Sequence, residues 1–352
     1  MYNVATLSPF ICLACVGGSR AYGLATPESD ADIKGVYLAR LEDVLAARAP
    51  KVVQDDRHDI QYTELGEFCR QLELNNSGAL ELWACIGQEQ QLSCADWLPG
   101  FFDGWQILSK RCYHTYVDNA LAQMKRIHAT HDKAVQEPPQ AASLLDFAFV
   151  LESGASLPFA TWAARLGLSA QEVAAQPVSR GIWALYRQSS RCGLFGADGT
   201  AVARAPIAAE SPFLAYMQVD AAAFSEHCRR VRQYNEWLAK RNASRLYTSA
   251  QLPKEEGQYD VKHMSHVIRL LHTAREIATE GCIHVRRTHD NALLRSIRAG
   301  MLPFSELVAL VENELRELKP LFDRSSLPES PAMGDWMEKL AQLRIKRHYG
   351  RH

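Results

Sequence analysis

Seven consecutive apolar residues, Phe10 to Val16, run directly into Gly17-Gly18. An apolar run this short, closed by a glycine pair, reads as a buried strand that ends in a tight turn. Ser19-Arg20-Ala21-Tyr22 can then open a short helix. Residues 30–38 alternate in polarity and predict a second strand, and His58-Asp59-Ile60-Gln61-Tyr62 a third. Glu64 to Leu74 fits a helix with Leu65, Phe68, Cys69 and Leu72 on its buried side. Asn76-Ser77 is suited to cap another helix through Leu80, Leu82 and Trp83. A chain that alternates in this way over its first hundred residues folds as α/β or α+β.

Beyond Leu108 the pattern changes. Residues 108–130 predict one long helix, 131–140 a polar break containing prolines, and 222–245, 260–280 and 288–318 further helices. Residues 141–225 are Ala-rich with scattered Gly and Pro, and Gly196-Ala197-Asp198-Gly199 suggests a hairpin; they read as an irregular, insertion-like mixture of short helices and a few strands. Residues 325–331 form a loop before a last helix that ends in a basic tail. At 352 residues the chain is long for one core. The expected division is a catalytic domain over 1–107, a small mixed sheet with flanking helices, and a mainly α-helical domain over 108–352.

A formal net charge of −1 conceals a segregation of charge. Residues 1–100 carry 7 Lys+Arg against 14 Asp+Glu, whereas residues 229–298 carry 14 against 7. An acidic N-terminal part facing a basic C-terminal part suits a metal site beside a surface for polyanions. The N-terminus lacks a basic stretch before an apolar run, and no segment approaches the roughly 18 apolar residues that span a bilayer. The nine cysteines are irregularly spaced and read as buried, reduced thiols. Together these features lead us to expect a cytoplasmic protein without a membrane partner. Cys12 and Cys15 form a C-x-x-C, but no second Cys/His pair stands at zinc spacing.

The chemistry is concentrated in Gly18-Ser19 and, after a ten-residue gap, Asp30-Ala31-Asp32. Glycine lets a backbone approach phosphates closely, amides at a helix start donate to anions, and the serine hydroxyl can join them. Aspartates at i and i+2 of a strand project from one face. Two carboxylates so placed can share Mg²⁺ or Mn²⁺, hard ions that prefer oxygen. Asp59, at the start of a strand able to return beside them, is the choice for a third carboxylate completing a two-metal site, with Glu64 as runner-up.

The longer string Gly18-Ser19-Arg20-Ala21-Tyr22-Gly23, Thr26-Pro27-Glu28-Ser29-Asp30-Ala31-Asp32 and Gly35-Val36-Tyr37 closely resembles the nucleotidyltransferases of the DNA polymerase β superfamily, in the branch associated with RNA repair. Asp59-Ile60, Glu64-Leu65, Asn75-Asn76 and Leu80-Glu81-Leu82-Trp83 follow in the order of that branch, with Ser77 where a proline is usual. Trp237-x-x-x-Arg241-Asn242-x-x-Arg245, Tyr259-Asp260-x-Lys262-His263-x-x-His266-x-x-Arg269 and Gly281-x-x-x-Val285-Arg286-Arg287 resemble its C-terminal motifs. The resemblance covers about 1–120 and 230–330 and implies a polymerase β-like core. It implies transfer of a nucleoside monophosphate from an NTP such as ATP to an RNA 3′ end, plausibly that of a damaged tRNA. Gly18, Ser19, Arg20, Lys262, His266 and Arg269 would then bind the nucleotide, and Arg241, Asn242, Arg245, Arg286 and Arg287 the nucleic acid. Read directly, Lys262, His266 and Arg269 stand at i, i+4 and i+7 on one helix face, opposite Met264, Ile268 and Leu271. The rival readings are modification of a protein or small molecule by the same chemistry, and a non-catalytic nucleotide- or RNA-binding module.

Overall fold

The computed structural model describes residues 2–350 apart from 28, 153, 189–193, 195–200, 205–206, 208–209, 241–245 and 248–251. The chain divides into two compact units, one of Met1–Val135 with Ala243–His352 and the other of Gln136–Asn242. The first unit begins with β1 (Ile11–Val16), α1 (Gly18–Ala21), β2 (Ile33–Tyr37), α2 (Leu41–Leu45), β3 (Val52–Gln54) and β4 (Ile60–Glu64). It continues with α3 (Leu65–Glu73), α4 (Ser77–Ala84), β5 (Gln91–Cys94), α5 (Leu98–Phe101) and the 25-residue α6 (Arg111–Val135). Its strands form one sheet in the order β3-β4-β2-β1-β5. β2 and β4 run parallel, with Ile33 beside Ile60, and the other pairs are antiparallel.

β1 is buried on both faces, which is why it is apolar throughout. Cys12, Leu13 and Cys15 join the larger core with Leu65, Phe68 and Leu72 of α3, while Ala14 packs with Tyr37 and Tyr62 in a smaller cluster. At Gly35 a Cβ would stand 2.2 Å from the Leu13 carbonyl oxygen and 2.6 Å from the Tyr62 ring, so only glycine allows the close approach. Asn76 caps α4 by accepting from the Ala79 amide, as its sequence position predicts.

The second unit corrects the expectation of irregular structure. β6 (Ala148–Glu152), β7 (Ala155–Pro158), α7 (Phe159–Arg165), β8 (Val173–Ser179), β9 (Ile182–Arg187), β10 (Phe213–Val219) and α8 (Ala221–Lys240) follow one another. The strands build a five-stranded antiparallel sheet in the order β7-β6-β10-β9-β8 over its own core of Val150, Phe159, Trp162, Leu185 and Met217. β8, with two alanines and a proline, carries little β-propensity of its own, and burial of Val173 and Ala175 in the core that holds Trp162 and Phe159 supplies what propensity does not. The expected hairpin at 196–199 lies outside the described residues.

The chain returns to the first unit through β11 (Leu246–Tyr247), α9 (Lys254–Gly257), β12 (Tyr259–Asp260) and α10 (Val261–Glu280), then α11 (Asn291–Arg298), α12 (Phe304–Arg324) and α13 (Trp336–Tyr349). α10 packs against α6, α11 and α12. Met264, Ile268 and Leu271 are fully buried, as the helical spacing predicts. A cut after residue 107 therefore does not follow the packing, because α6 and the C-terminal helices share one core with the N-terminal sheet. Among the described residues no helix is long and apolar enough to cross a membrane.

Candidate active site

β1 leads through Gly17 into α1. Gly18 adopts the left-handed conformation at φ 58°, and a Cβ there would lie 1.7 Å from Asp32 Oδ2. Glycine is needed twice over at this position, for its backbone and for the carboxylate seated against it. The Gly17 amide donates to the Asp32 carbonyl at 2.8 Å, which fixes Asp32 beside the loop. Both aspartates precede the strand that was expected to carry them, since β2 begins at Ile33. Asp30 is exposed and Asp32 half-buried. Arg20 does not line the cleft described below; its guanidinium donates to the carbonyls of Ser29 (2.8 Å) and Asp30 (3.2 Å) and so braces the segment that carries the aspartates.

Asp59 reaches this end of the sheet through β4. The Ile33 amide donates to the Asp59 carbonyl at 2.7 Å and the pairing continues in register, so Asp32 and Asp59 end neighbouring parallel strands side by side. The three aspartates do not form a closed ligand set: among the described residues, the group of three whose ligand atoms lie within 4.8 Å of one another is Glu280, Cys282 and His284. Glu64, the alternative third carboxylate, is buried and occupied elsewhere. It caps α3 through the Gly66 amide (2.7 Å) and pairs with Arg344 (2.6 Å).

A cleft of about 600 Å³ opens beside the loop, within the range of small-molecule sites. One wall carries Gly18, Ser19, Asp30 and Asp32, and the other Lys262, His266 and Arg269 from α10. Their i, i+4, i+7 spacing thus turns one helix face to the aspartates. The three differ in how available they are. Lys262 is exposed, whereas Arg269 is 4% exposed, ion-paired with Glu81, and stacked 3.9 Å over the Tyr22 ring. Tyr22 Oη donates to the other Glu81 oxygen at 2.7 Å. Arg269 Nη2 also donates to His266 Nδ1 at 3.0 Å; a guanidinium cannot accept, so the ring proton of His266 resides on Nε2.

Burial, and then the charge of Arg269, push His266 down to about 4, so it is neutral at neutral pH. Its folded value lies below the ordinary 6.5. The unfolded chain therefore binds the proton first as pH falls, and stability is lost between about pH 6.5 and 4. His266→Gln is expected to remove this part of the acid sensitivity, up to roughly 3 kcal/mol, as measured by urea unfolding at pH 7 and pH 4.5. An unchanged pH dependence would show that His266 is already solvated.

The remaining predicted contacts fall in three places. Arg287 is 4% exposed and held by Glu276 and Asp290, each within 2.9 Å, so it braces the fold rather than offering a charge to a polyanion. Arg286 is exposed and pairs with Glu89 at 2.8 Å. Arg241, Asn242 and Arg245 lie outside the described residues. Much of the basic excess of the C-terminal part is spent internally: the carbonyls of Gly23 and Leu24, just after α1, accept from Arg295 (2.7 Å) and Arg298 (2.9 Å). Sequence reasoning missed Tyr22, Glu81, Arg298 and Gln123. Gln123 lines the cleft from α6 with its buried Oε1 unpaired, and a lone glutamine on a long helix carries no signal of such a role.

Residues 5–176 match the family model of RlaP, the RNA repair pathway DNA polymerase beta family. Over those residues the chain is similar to this family. The mixed five-stranded sheet and the mainly helical C-terminal region are those expected of a polymerase β-like core, and the matched family is one of an RNA repair pathway. No curated protein and no solved structure matches the chain. The match contains Gly18, Ser19, Asp30, Asp32 and Asp59 and ends before α10, so the cationic wall of the cleft comes from outside the matched segment.

Proposed function

We propose that this chain is a metal-dependent nucleotidyltransferase that moves a nucleoside monophosphate from an NTP to the 3′ hydroxyl of an RNA, such as a tRNA end, releasing pyrophosphate. One observation carries the reading: the cleft that holds Gly18, Ser19, Asp30 and Asp32 also receives Lys262 and His266 from a distant helix. Carboxylates opposite phosphate donors across a space for one nucleotide suit a triphosphate with its cations.

Gly18 and Ser19 would hold the β- and γ-phosphates through backbone amides and a hydroxyl, and Lys262 would add a point charge. His266, neutral with its proton on Nε2, would donate a hydrogen bond without adding charge. Arg269 acts indirectly, by fixing the His266 tautomer and the Tyr22 ring beneath the loop. Asp30 and Asp32, with Asp59 beside them, would hold Mg²⁺ or Mn²⁺: all three are hard anionic oxygen donors, and the Gly18 backbone leaves room for the Asp32 carboxylate. Bound there, such ions neutralise phosphate charge and lower the pKa of the attacking hydroxyl. The acceptor hydroxyl gives up its proton to solvent as its oxygen bonds to the α-phosphorus, the bond from that phosphorus to the bridging oxygen breaks, and pyrophosphate leaves with the electron pair.

Incubation with Mg²⁺ or Mn²⁺, labelled NTPs and, separately, RNA, DNA and protein tests the proposal. The expected result is RNA extended at its 3′ end, with labelling lost in Asp30→Ala and Asp32→Ala. Label on protein alone would replace the acceptor, and label that persists in both variants would overturn the site.

A further inference from the structure

Away from the aspartates, α10 ends at Glu280, and Gly281 takes the left-handed conformation at φ 66°. The turn folds the next residues back on the helix end and gathers the donor atoms of Glu280, Cys282 and His284. Cys282 Sγ lies 3.3 Å from His284 Nε2 and 3.7 Å from Glu280 Oε2, and His284 Nε2 lies 2.8 Å from the same Glu280 oxygen. A tetrahedral zinc with ordinary bonds of about 2.3 Å to sulfur and about 2.0–2.1 Å to nitrogen and oxygen sets its donors roughly 3.3–3.6 Å apart. The triangle is therefore already within about half an ångström of one face of that tetrahedron.

We propose that Glu280, Cys282 and His284 form a site for one zinc-class divalent ion, with three protein donors and a fourth position open to water. The donor set argues for a borderline-soft ion. A thiolate and an imidazole select Zn²⁺ over Mg²⁺, which the all-oxygen aspartates favour instead. The surroundings leave room. Cys282 and His284 border a cavity with Gln88, Glu89 and Gln90, and Glu89 is engaged by Arg286.

The location gives the ion a structural consequence. The His284 carbonyl accepts from Arg287 Nη1 at 3.2 Å, and the Arg287 amide donates to the Tyr22 carbonyl at 3.1 Å, at the end of α1. An ion that fixes residues 280–284 thus fixes the connection on which the phosphate loop leans. It stabilises the folded chain in proportion to its occupancy.

The test uses the full chain, stripped with chelator and kept reduced, and titrated with Co²⁺ and then Zn²⁺ against a chromophoric chelator. One equivalent of Co²⁺ is expected to give a thiolate-to-metal charge-transfer band that Zn²⁺ abolishes. Cys282→Ser and His284→Ala each lose that equivalent, with affinity lowered roughly 10²-fold or more, since even outer-shell changes cost 10- to 100-fold. The Asp30→Asn/Asp32→Asn double variant retains it, which separates this site from the proposed catalytic one. Far-UV circular dichroism of the stripped variants confirms folding, with His284→Asn as the substitute should His284→Ala misfold. No charge-transfer band in the native chain, or one undiminished in both ligand variants, overturns the proposal.

Discussion

Asp32→Asn is expected to lower nucleotidyl transfer roughly 10³-fold or more while the protein stays folded. Losing one anionic ligand removes several kcal/mol of transition-state stabilisation, and about 4 kcal/mol corresponds to 10³ in rate. Stability should change little, because the carboxylate is half-buried and its neutral isostere fits the same space. Gly18→Ala reaches the same carboxylate from the other side. Its methyl group would stand 1.7 Å from Asp32 Oδ2, and the left-handed backbone at φ 58° adds strain of about 1–2 kcal/mol. The aspartate must turn away, so kcat should fall with the thermal midpoint only modestly lower. Single-turnover rates at saturating NTP, set beside thermal melts, check both variants. Full activity in Gly18→Ala would mean that the carboxylate has no fixed working position at the loop.

Arg269→Met is expected to cost about 3–5 kcal/mol of stability, the penalty for stranding a buried charge. The variant leaves Glu81 without its guanidinium in a pocket closed by Tyr22, whose phenolic hydroxyl is the remaining donor to it among the described residues. It also frees Nδ1 of His266 and removes the stacking on Tyr22. For a chain of this size the midpoint should fall by roughly 10 °C. The double variant Arg269→Met/Glu81→Gln should recover much of the loss, because no unpaired charge then remains. Chemical unfolding of both singles and the double closes the cycle. A single-variant loss below about 1 kcal/mol would mean that Arg269 is a solvated cleft residue, as its helical position alone suggests.

The contrast between Arg269 and Lys262 shows how far sequence reaches. Spacing of i, i+4 and i+7 establishes that Lys262, His266 and Arg269 share a face, because helix geometry is local. It does not establish what faces them. Glu81 stands 188 residues away from Arg269 in the chain, and its pairing turns a presumed phosphate ligand into a buried brace. Arg287 repeats the lesson: it directly follows the exposed Arg286, yet Glu276 and Asp290 enclose it. The same holds for Cys282 and His284, whose alternation is unremarked until Gly281 folds them against Glu280.

The N-terminal strand, the glycine turn and the order of the aspartates were readable from the sequence, because a short apolar run closed by Gly17-Gly18 admits few local structures. The resemblance to the family rests on those residues too, and the match over residues 5–176 agrees with it. The extent of β2 was not readable, since Asp30 and Asp32 continue the polarity alternation although the strand begins only at Ile33. Nor was the second sheet, in which β8, with two alanines and a proline, becomes a strand only when a core of Phe159, Trp162 and Met217 is assembled around it. The sequence alone determined which groups can do chemistry at residues 18 to 32, for backbone freedom and hard oxygen donors are properties of single residues and their spacing. Only the tertiary structure decided which cations face those groups and which are consumed within the fold, because charge pairing in a core depends on contacts between residues far apart in the chain.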